Sequence, residues 1–235
     1  MQLFYNASID EHTELFSFDK EESRHITKVL RKKEGDFVHI TNGKGWLFKS
    51  EIVIADLKKC TAKIISQKLQ PASKYKLHLI VAPTKMNDRY EWFLEKATEI
   101  GVHEITPVIC DRSERKEIKI ARMERVLQSA MKQSLTYYLP KLNPAISFKE
   151  LIKNDDLNGK LFIAHCEETE RFQLKDQLKP NEDATILIGP EGDFSKEEID
   201  LAKQKRFLPI LLGETRLRTE TAAIVACHSV AFINL

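Results

Sequence analysis

Cysteine is scarce and scattered. Cys60, Cys110, Cys166 and Cys227 form no Cys-x-x-Cys pair and have no histidine at ligand spacing, which argues against a zinc site or a disulfide framework; buried, reduced thiols are expected, and no metal. Glycine and proline are also few, eight of each in 235 residues, too few for a low-complexity chain. No apolar run approaches the roughly 20 residues that a membrane-spanning helix needs. The start, "MQLFYNASIDEHTEL", has neither a basic leader nor a following apolar stretch, so no secretory or transit signal is read, no membrane partner is expected, and a cytoplasmic location is. An excess of one charge is missing too. The 37 Lys and Arg barely exceed the 35 Asp and Glu, for a formal charge of +2, so only local clustering could supply a basic surface. Neither Gly-x-Gly-x-x-Gly nor Gly-x-x-x-x-Gly-Lys occurs, which weighs against a dinucleotide enzyme or an NTPase. What is present, 42% hydrophobic and 31% charged residues, describes one or two globular domains with a sizeable core.

The periodicity changes partway along the chain. Residues 1–70 read as a small β-rich domain: "DFVHIT" and "WLFKSEIVI" alternate as strands, "NGKG" between them is a hairpin signal, and "CTAKII" reads as a third strand. Ahead of them, "KEESRHITKVLRKKEGD" places Ile26, Val29 and Leu30 at helical spacing, with Arg24, Lys28, Arg31, Lys32 and Lys33 around them. Such a face either grips phosphate or is simply solvated. "LQPASKYK" reads as a linker.

Residues 75–235 read as a second, α/β domain. "KLHLIVA", "KLFIAHC", "ATILI" and "LPILL" are short apolar runs bounded by breakers, as in a parallel sheet covered on both faces. Tyr90, Phe93, Leu94, Ala97 and Ile100 mark the inner face of one helix, stopped by Gly101; Met123, Val126, Leu127, Ala130 and Met131 mark another. The final helix, "TAAIVACHSVAFI", is apolar on nearly every side and is expected to be buried in a core or against a partner. His165 and His228 lie in apolar segments and read as hydrogen-bonded core residues.

Two strand ends carry more than a turn requires. "ATILIGPEGDFSKEEI" runs from a strand through Gly-Pro-Glu-Gly into a helix that Ser195 and Glu198 mark with a capping box. "LPILLGETRLRTETAAIVACHSV" runs from a second strand through Gly213 and a polar loop into the last helix. In open α/β sheets ligands bind beyond such carboxyl ends, and glycines there let a ligand approach the backbone.

Together these two stretches resemble the C-terminal signature of SPOUT-class methyltransferases, specifically the family that methylates N3 of a uridine in small-subunit (16S) ribosomal RNA. "ESRHITKVLRKKEGD", "EKATEIGVHEITPV" and "MKQSLTYYLP" resemble other parts of that family, so the likeness covers nearly the whole chain. Two departures stand out: Asp193 replaces the last glycine of the usual "GPEGG", and Lys132 and Thr136 occupy the Glu and Arg positions of "EQSxR". The resemblance implies a PUA-like RNA-binding barrel, then an α/β domain whose last segment threads a trefoil knot. It also implies a homodimer, S-adenosyl-L-methionine as cofactor, and the small ribosomal subunit with its 16S rRNA as partner.

By the same resemblance, Ile188, Gly189, Pro190, Glu191 and Gly192 hold the cofactor together with Leu212, Gly213, Leu217, Arg218, Thr221 and Ala222, and Pro83 and Ala164 close the pocket. Arg24, His25, Arg31, Lys32, Lys85, Arg89, Arg112 and Lys132 are candidate RNA contacts. Uracil N3 becomes a good nucleophile only when its proton leaves, so a cation beside the ring helps; Arg218 is the candidate catalytic residue, the alternative being an ion pair with Glu214 or Glu220. No general base is identified. The competing readings are a SPOUT enzyme acting at another RNA site and an RNA-binding protein without activity.

Overall fold

The computed structural model describes residues 1–168 and 170–235. The chain divides into two compact units, one formed by Met1–Ala72 with Met131–Leu139, the other by Ser73–Ala130 with Pro140–Leu235.

The first unit is built on a five-stranded sheet. Its strands are β1 (Leu3–Tyr5), β2 (Leu15–Ser17), β3 (Phe37–Thr41), β4 (Trp46–Ile54) and β5 (Thr61–Leu69), in the order β1-β3-β4-β5-β2. All neighbours are antiparallel except β1 with β3. The β3–β4 hairpin forms where "NGKG" predicts it: Gly43 and Gly45 take positive φ, and the Asn42 side chain accepts from the Lys44 N–H. Alternation then sends Phe48, Ser50 and Ile52 inward, to a core shared with Phe4, Phe18, Ile26 and Ile40. The segment Met131–Leu139 clasps the hairpin tip: Gly45 donates to the Tyr137 carbonyl at 2.8 Å, and Leu139 to that of Gly43 at 2.9 Å.

The basic segment between β2 and β3 departs from a regular helix. α1 (Lys20–Arg24) passes into a π-helical turn over His25–Val29. Leu30 N–H reaches back to the His25 carbonyl, which shifts the faces: Ile26 is buried and Leu30 half-buried, but Val29 is 66% exposed.

The second unit carries β6 (Leu77–Val81), α2 (Asn87–Ile100), β7 (Glu104–Ile109), α3 (Ile120–Ser134, whose last residues belong to the first unit), β8 (Lys141–Leu142), β9 (Ile146–Ser147) and α4 (Phe148–Lys153). It continues through β10 (Lys160–Ala164), β11 (Phe172–Gln173), α5 (Leu174–Gln177), β12 (Ala184–Ile188), α6 (Lys196–Gln204), β13 (Leu208–Leu211) and α7 (Thr219–Ile233). Every pairing in this sheet is parallel, in the order β11-β13-β10-β12-β6-β7-β8, with β9 also beside β7. The four apolar runs are strands of this sheet, and β12 is buried at all five positions. Gly101 ends α2 in the left-handed conformation, its N–H on the Ala97 carbonyl, and Ser195 and Glu198 close a reciprocal capping box on α6.

Helix α7 is buried on one side only. Ala223, Ala226, Cys227 and Val230 face inward, whereas Phe232 is 68% exposed with His228 stacked on it at 6.2 Å, so His228 is a surface group rather than a core one. Among the cysteines, Cys60, Cys110 and Cys227 are buried free thiols; Cys166 is free but exposed, because it lies in the loop beyond β10. Among the described residues no helix is long and apolar enough to cross a membrane, and no three His, Cys, Asp or Glu residues gather as a metal site.

Candidate active site

The register of four neighbouring strands brings their ends together. Ala164 at the end of β10 pairs with Ile188 at the end of β12 and with Ile210 near the end of β13, and Ile188 also pairs with Val81 at the end of β6. The chain beyond these points, from Ala82, His165, Gly189 and Leu212, therefore emerges along one edge of the sheet, where a parallel sheet presents ligand sites.

The Gly189–Ser195 loop is held from several directions. Asp193 N–H donates to the Pro190 carbonyl at 2.9 Å, closing a turn, and Asp193 takes φ 61°, a conformation that glycine adopts more easily. Its carboxylate accepts the Cys166 N–H at 2.8 Å and the Phe194 N–H at 2.9 Å, tying the β10 loop to this one. The substitution thus replaces glycine's freedom with two charge-assisted hydrogen bonds. The Glu191 carboxylate accepts the Lys85 N–H at 2.9 Å, and Arg112 donates to the Gly192 carbonyl at 3.0 Å. Thr219, at the start of α7, donates its hydroxyl to the Gly189 carbonyl at 3.0 Å, joining the two candidate loops.

The glycines differ in what they make room for. A Cβ on Gly189 would lie 2.8 Å from the Phe194 ring, and one on Gly192 would lie 3.1 Å from Arg112 Cβ. These two glycines therefore admit protein side chains, a correction to the expectation that they clear space for a ligand. Gly213 has no atom within 4 Å of a would-be Cβ, so it does border open space.

Beyond β13, Leu212 and Leu217 are half-buried, Gly213 to Arg216 are exposed, and Thr221 and Ala222 sit half-buried on the first turn of α7. Arg218 caps α7 through its backbone, its carbonyl accepting the Ala222 N–H at 2.8 Å. Among the described residues its guanidinium has neither a hydrogen bond nor an ion pair; the cation nearest Glu220 is Arg89, with Nε 3.8 Å from Oε1. The alternative of a structural pair from Arg218 to Glu214 or Glu220 is not what the molecule forms. A cavity of about 620 Å³ opens here, lined by Asp88, Arg89 and Trp92 of α2 and by Arg216–Arg218, Glu220 and Thr221. Of the candidate cofactor residues, Leu217, Arg218 and Thr221 line it, while Ile188–Gly192 form the neighbouring packed loop.

His165 is buried, with neither ring nitrogen hydrogen-bonded among the described residues, and burial holds its pKa below the usual histidine value. The expected hydrogen-bonded core histidine is thus a core histidine lacking partners. The candidate RNA residues separate into two groups. Arg24 and Arg31 are exposed without an ion pair among the described residues, Arg31 in the left-handed conformation, and Lys32 is half-buried. The others are engaged: Lys132 with Glu22 at 2.9 Å, Lys85 with Glu114 at 2.8 Å, Arg112 with Gly192, Arg89 Nε 3.8 Å from Glu220, and His25 Nδ1 3.6 Å from Glu22. Arg115, not singled out in the sequence, donates to the carbonyls of Thr84 and Lys85. Periodicity carries no trace of such contacts between distant segments.

Comparison with known proteins adds the following. The family described as RNA methyltransferase domain matches residues 71–231, and the RNA methyltransferase PUA domain matches residues 18–65. Ribosomal RNA small subunit methyltransferase E of Buchnera aphidicola (subspecies Acyrthosiphon pisum) is 32% identical over 220 residues, covering 90% of this chain and 85% of the relative. A crystal structure described as a probable rRNA-methyltransferase from Porphyromonas gingivalis superposes with a TM-score of 0.91 at 38% identity, covering 100% of this chain and 98% of that one. A Ribosomal RNA small subunit methyltransferase E from Neisseria gonorrhoeae, solved bound to S-adenosyl methionine, gives a TM-score of 0.88 at 25% identity, covering 100% and 98%.

Proposed function

Because the chain belongs to the RNA methyltransferase family, we propose that it is an S-adenosylmethionine-dependent methyltransferase acting on N3 of a uridine in 16S rRNA of the small ribosomal subunit. The observation that carries this reading is the convergence of the ends of β6, β12, β10 and β13 on one sheet edge, in a chain whose relatives of that fold are named ribosomal RNA small subunit methyltransferases.

The edge fits the cofactor. Gly213 borders open space, so a ligand would find room against the backbone there. Ile188, Leu212 and Leu217 supply apolar walls, and the backbone of Gly189–Gly192 and Leu212–Gly213 supplies polar groups. Pro190, Thr221 and Ala222 complete the holding set. S-adenosylmethionine brings the methyl group on a sulfonium, and the protein's task is to fix its direction and receive the nucleophile. Arg218, with no hydrogen bond or ion pair among the described residues, is the cation proposed to hold a uracil carbonyl oxygen as N3 loses its proton. Glu191, already bonded to Lys85, braces the loop.

The remaining parts of the reading are a division of labour between residues 1–70, a PUA-like domain that presents Arg24, Arg31 and Lys32 to phosphates, and residues 75–235, the methyltransferase domain with its last segment knotted. The protein is cytoplasmic and works as a homodimer; the exposed Phe232 and His228 on the otherwise apolar α7 support a partner surface there. The test mixes the purified protein with labelled S-adenosylmethionine and unmethylated small subunits, then maps the modified nucleoside. N3-methyluridine at a single site is expected. A methyl group on another position would assign a different RNA target, and RNA binding with no transfer would leave an RNA-binding protein.

A further inference from the structure

Glu220 is the second residue of α7, and its side chain is only 8% exposed. One carboxylate oxygen lies 3.8 Å from Arg89 Nε, beyond hydrogen-bond length. The other is buried with no hydrogen-bond partner among the described residues. Leaving such an acceptor unpaired is unfavourable, the more so for a charged group. The helix N-terminus favours an acidic residue, but it does not call for the acid to be buried and unsatisfied. Glu220 lines the 620 Å³ cavity together with Trp92, which is 44% exposed, and with Arg216 and Arg218, whose guanidinium groups have no partner among the described residues.

A buried acceptor, an open aromatic face and free guanidinium groups complement a flat ring that carries one N–H between two carbonyls and is attached to a phosphate. We infer that this cavity receives the target uracil, with Trp92 as its stacking surface and Glu220 as the group that accepts the N3 proton. The inference rests on the uridine-N3 reading above and deepens it. The N3–H bond breaks with its proton passing to the Glu220 carboxylate, which lines the cavity, and its electron pair remaining on the ring. That pair then forms the N3–CH3 bond as the carbon–sulfur bond of the sulfonium breaks, and the proton leaves to water. The methyl must arrive along the direction the proton vacates, so proton transfer comes first. Cytosine has a lone pair and no proton at N3, so the same carboxylate repels it; the device that activates the base also selects it.

The test is a single-turnover assay on unmethylated small subunits with Glu220→Gln. Its rate should fall by about a hundredfold or more, with cofactor and RNA affinity retained, and should rise with pH as uracil ionises unaided. RNA carrying 5-fluorouridine, whose N3 is more acidic, should rescue the variant selectively. Trp92→Ala should raise KM for RNA more than it lowers turnover. A Glu220→Gln variant with the parent rate, or one that loses stability and cofactor affinity without rescue by fluorouridine, overturns the proposal. Should the variant not fold, the unaltered protein decides: RNA with cytidine at the target must bind more weakly than RNA with uridine, and equal binding overturns the assignment. If the unaltered protein makes no N3-methyluridine at all, the functional reading itself has failed; if it does while Glu220→Gln is unimpaired, only the role of Glu220 falls.

Discussion

The two loops at the active edge are opposites. In Gly189–Ser195 backbone and side chains are committed on several sides: Gly189 to Phe194 and Thr219, Glu191 to Lys85, Gly192 to Arg112, and Asp193 to Cys166 and Phe194. In Leu212–Arg218 the glycine faces open space and two arginines have no partner among the described residues. One loop is a finished wall; the other keeps its chemical groups for what binds. Preorganisation of a site therefore need not be uniform: a rigid side fixes position, and a side with unspent charge responds to the reaction.

Changes that exploit this contrast should separate catalysis from stability. The largest effect belongs to Arg218→Ala, which should cut the single-turnover rate about a hundredfold while leaving the melting temperature and cofactor affinity nearly unchanged, with partial recovery at higher pH. A loss of stability without pH rescue would instead make Arg218 structural. Next, Gly189→Val should cost about 1–3 kcal/mol by overpacking against Phe194, whereas Gly213→Ala should change stability by less than about 0.5 kcal/mol and weaken cofactor binding. Denaturation and calorimetry on the pair would blur the contrast if both variants behaved alike.

Asp193→Ala should then cost about 1–2 kcal/mol, because alanine tolerates positive φ poorly and two backbone N–H groups lose a charged acceptor. Denaturant unfolding matching the parent would show the clasp to be dispensable. The smallest effect concerns His165. Its folded pKa lies below that of the unfolded chain because of burial, so as pH falls below the ordinary histidine value the unfolded state takes up a proton first and stability is lost. His165→Gln should make the acid-side decline of the melting temperature shallower. The decline should not vanish, since burial also lowers the pKa of His78 and His103. An unchanged slope would mean that His165 protonates without opening the fold.

Much of the architecture was legible because it is written locally. Buried parallel strands are short apolar runs, Gly101 marks the one conformation that ends α2, and Ser195 with Glu198 writes the start of α6 in four residues. The Ser147–Glu150 capping box of α4 has the same signature and went unread, as did the three-residue strands β1 and β2, too short to alternate. In the site, the positions of both loops followed from strand ends, but the commitments of Arg112, Arg115 and Lys85 did not, since each depends on a contact far along the chain. Nor did the burial of Glu220 or the exposure of His228: α7 is apolar nearly all round, so its composition does not say which side faces water.

Strand β12 lies between β6 and β10, and β10 lies between β12 and β13. As the chain is synthesised, β6 and β7 can pair early, but the centre of the second sheet has no occupant until residues 184–188 have been made, and the outer flank of β10 waits longer still. Parallel pairing between such distant segments is intrinsically slow, because the ends of a long loop must meet before any contact rewards them. The nascent second unit therefore cannot complete its sheet until nearly the last helix is made, and until then its apolar strand edges have no partner within the chain.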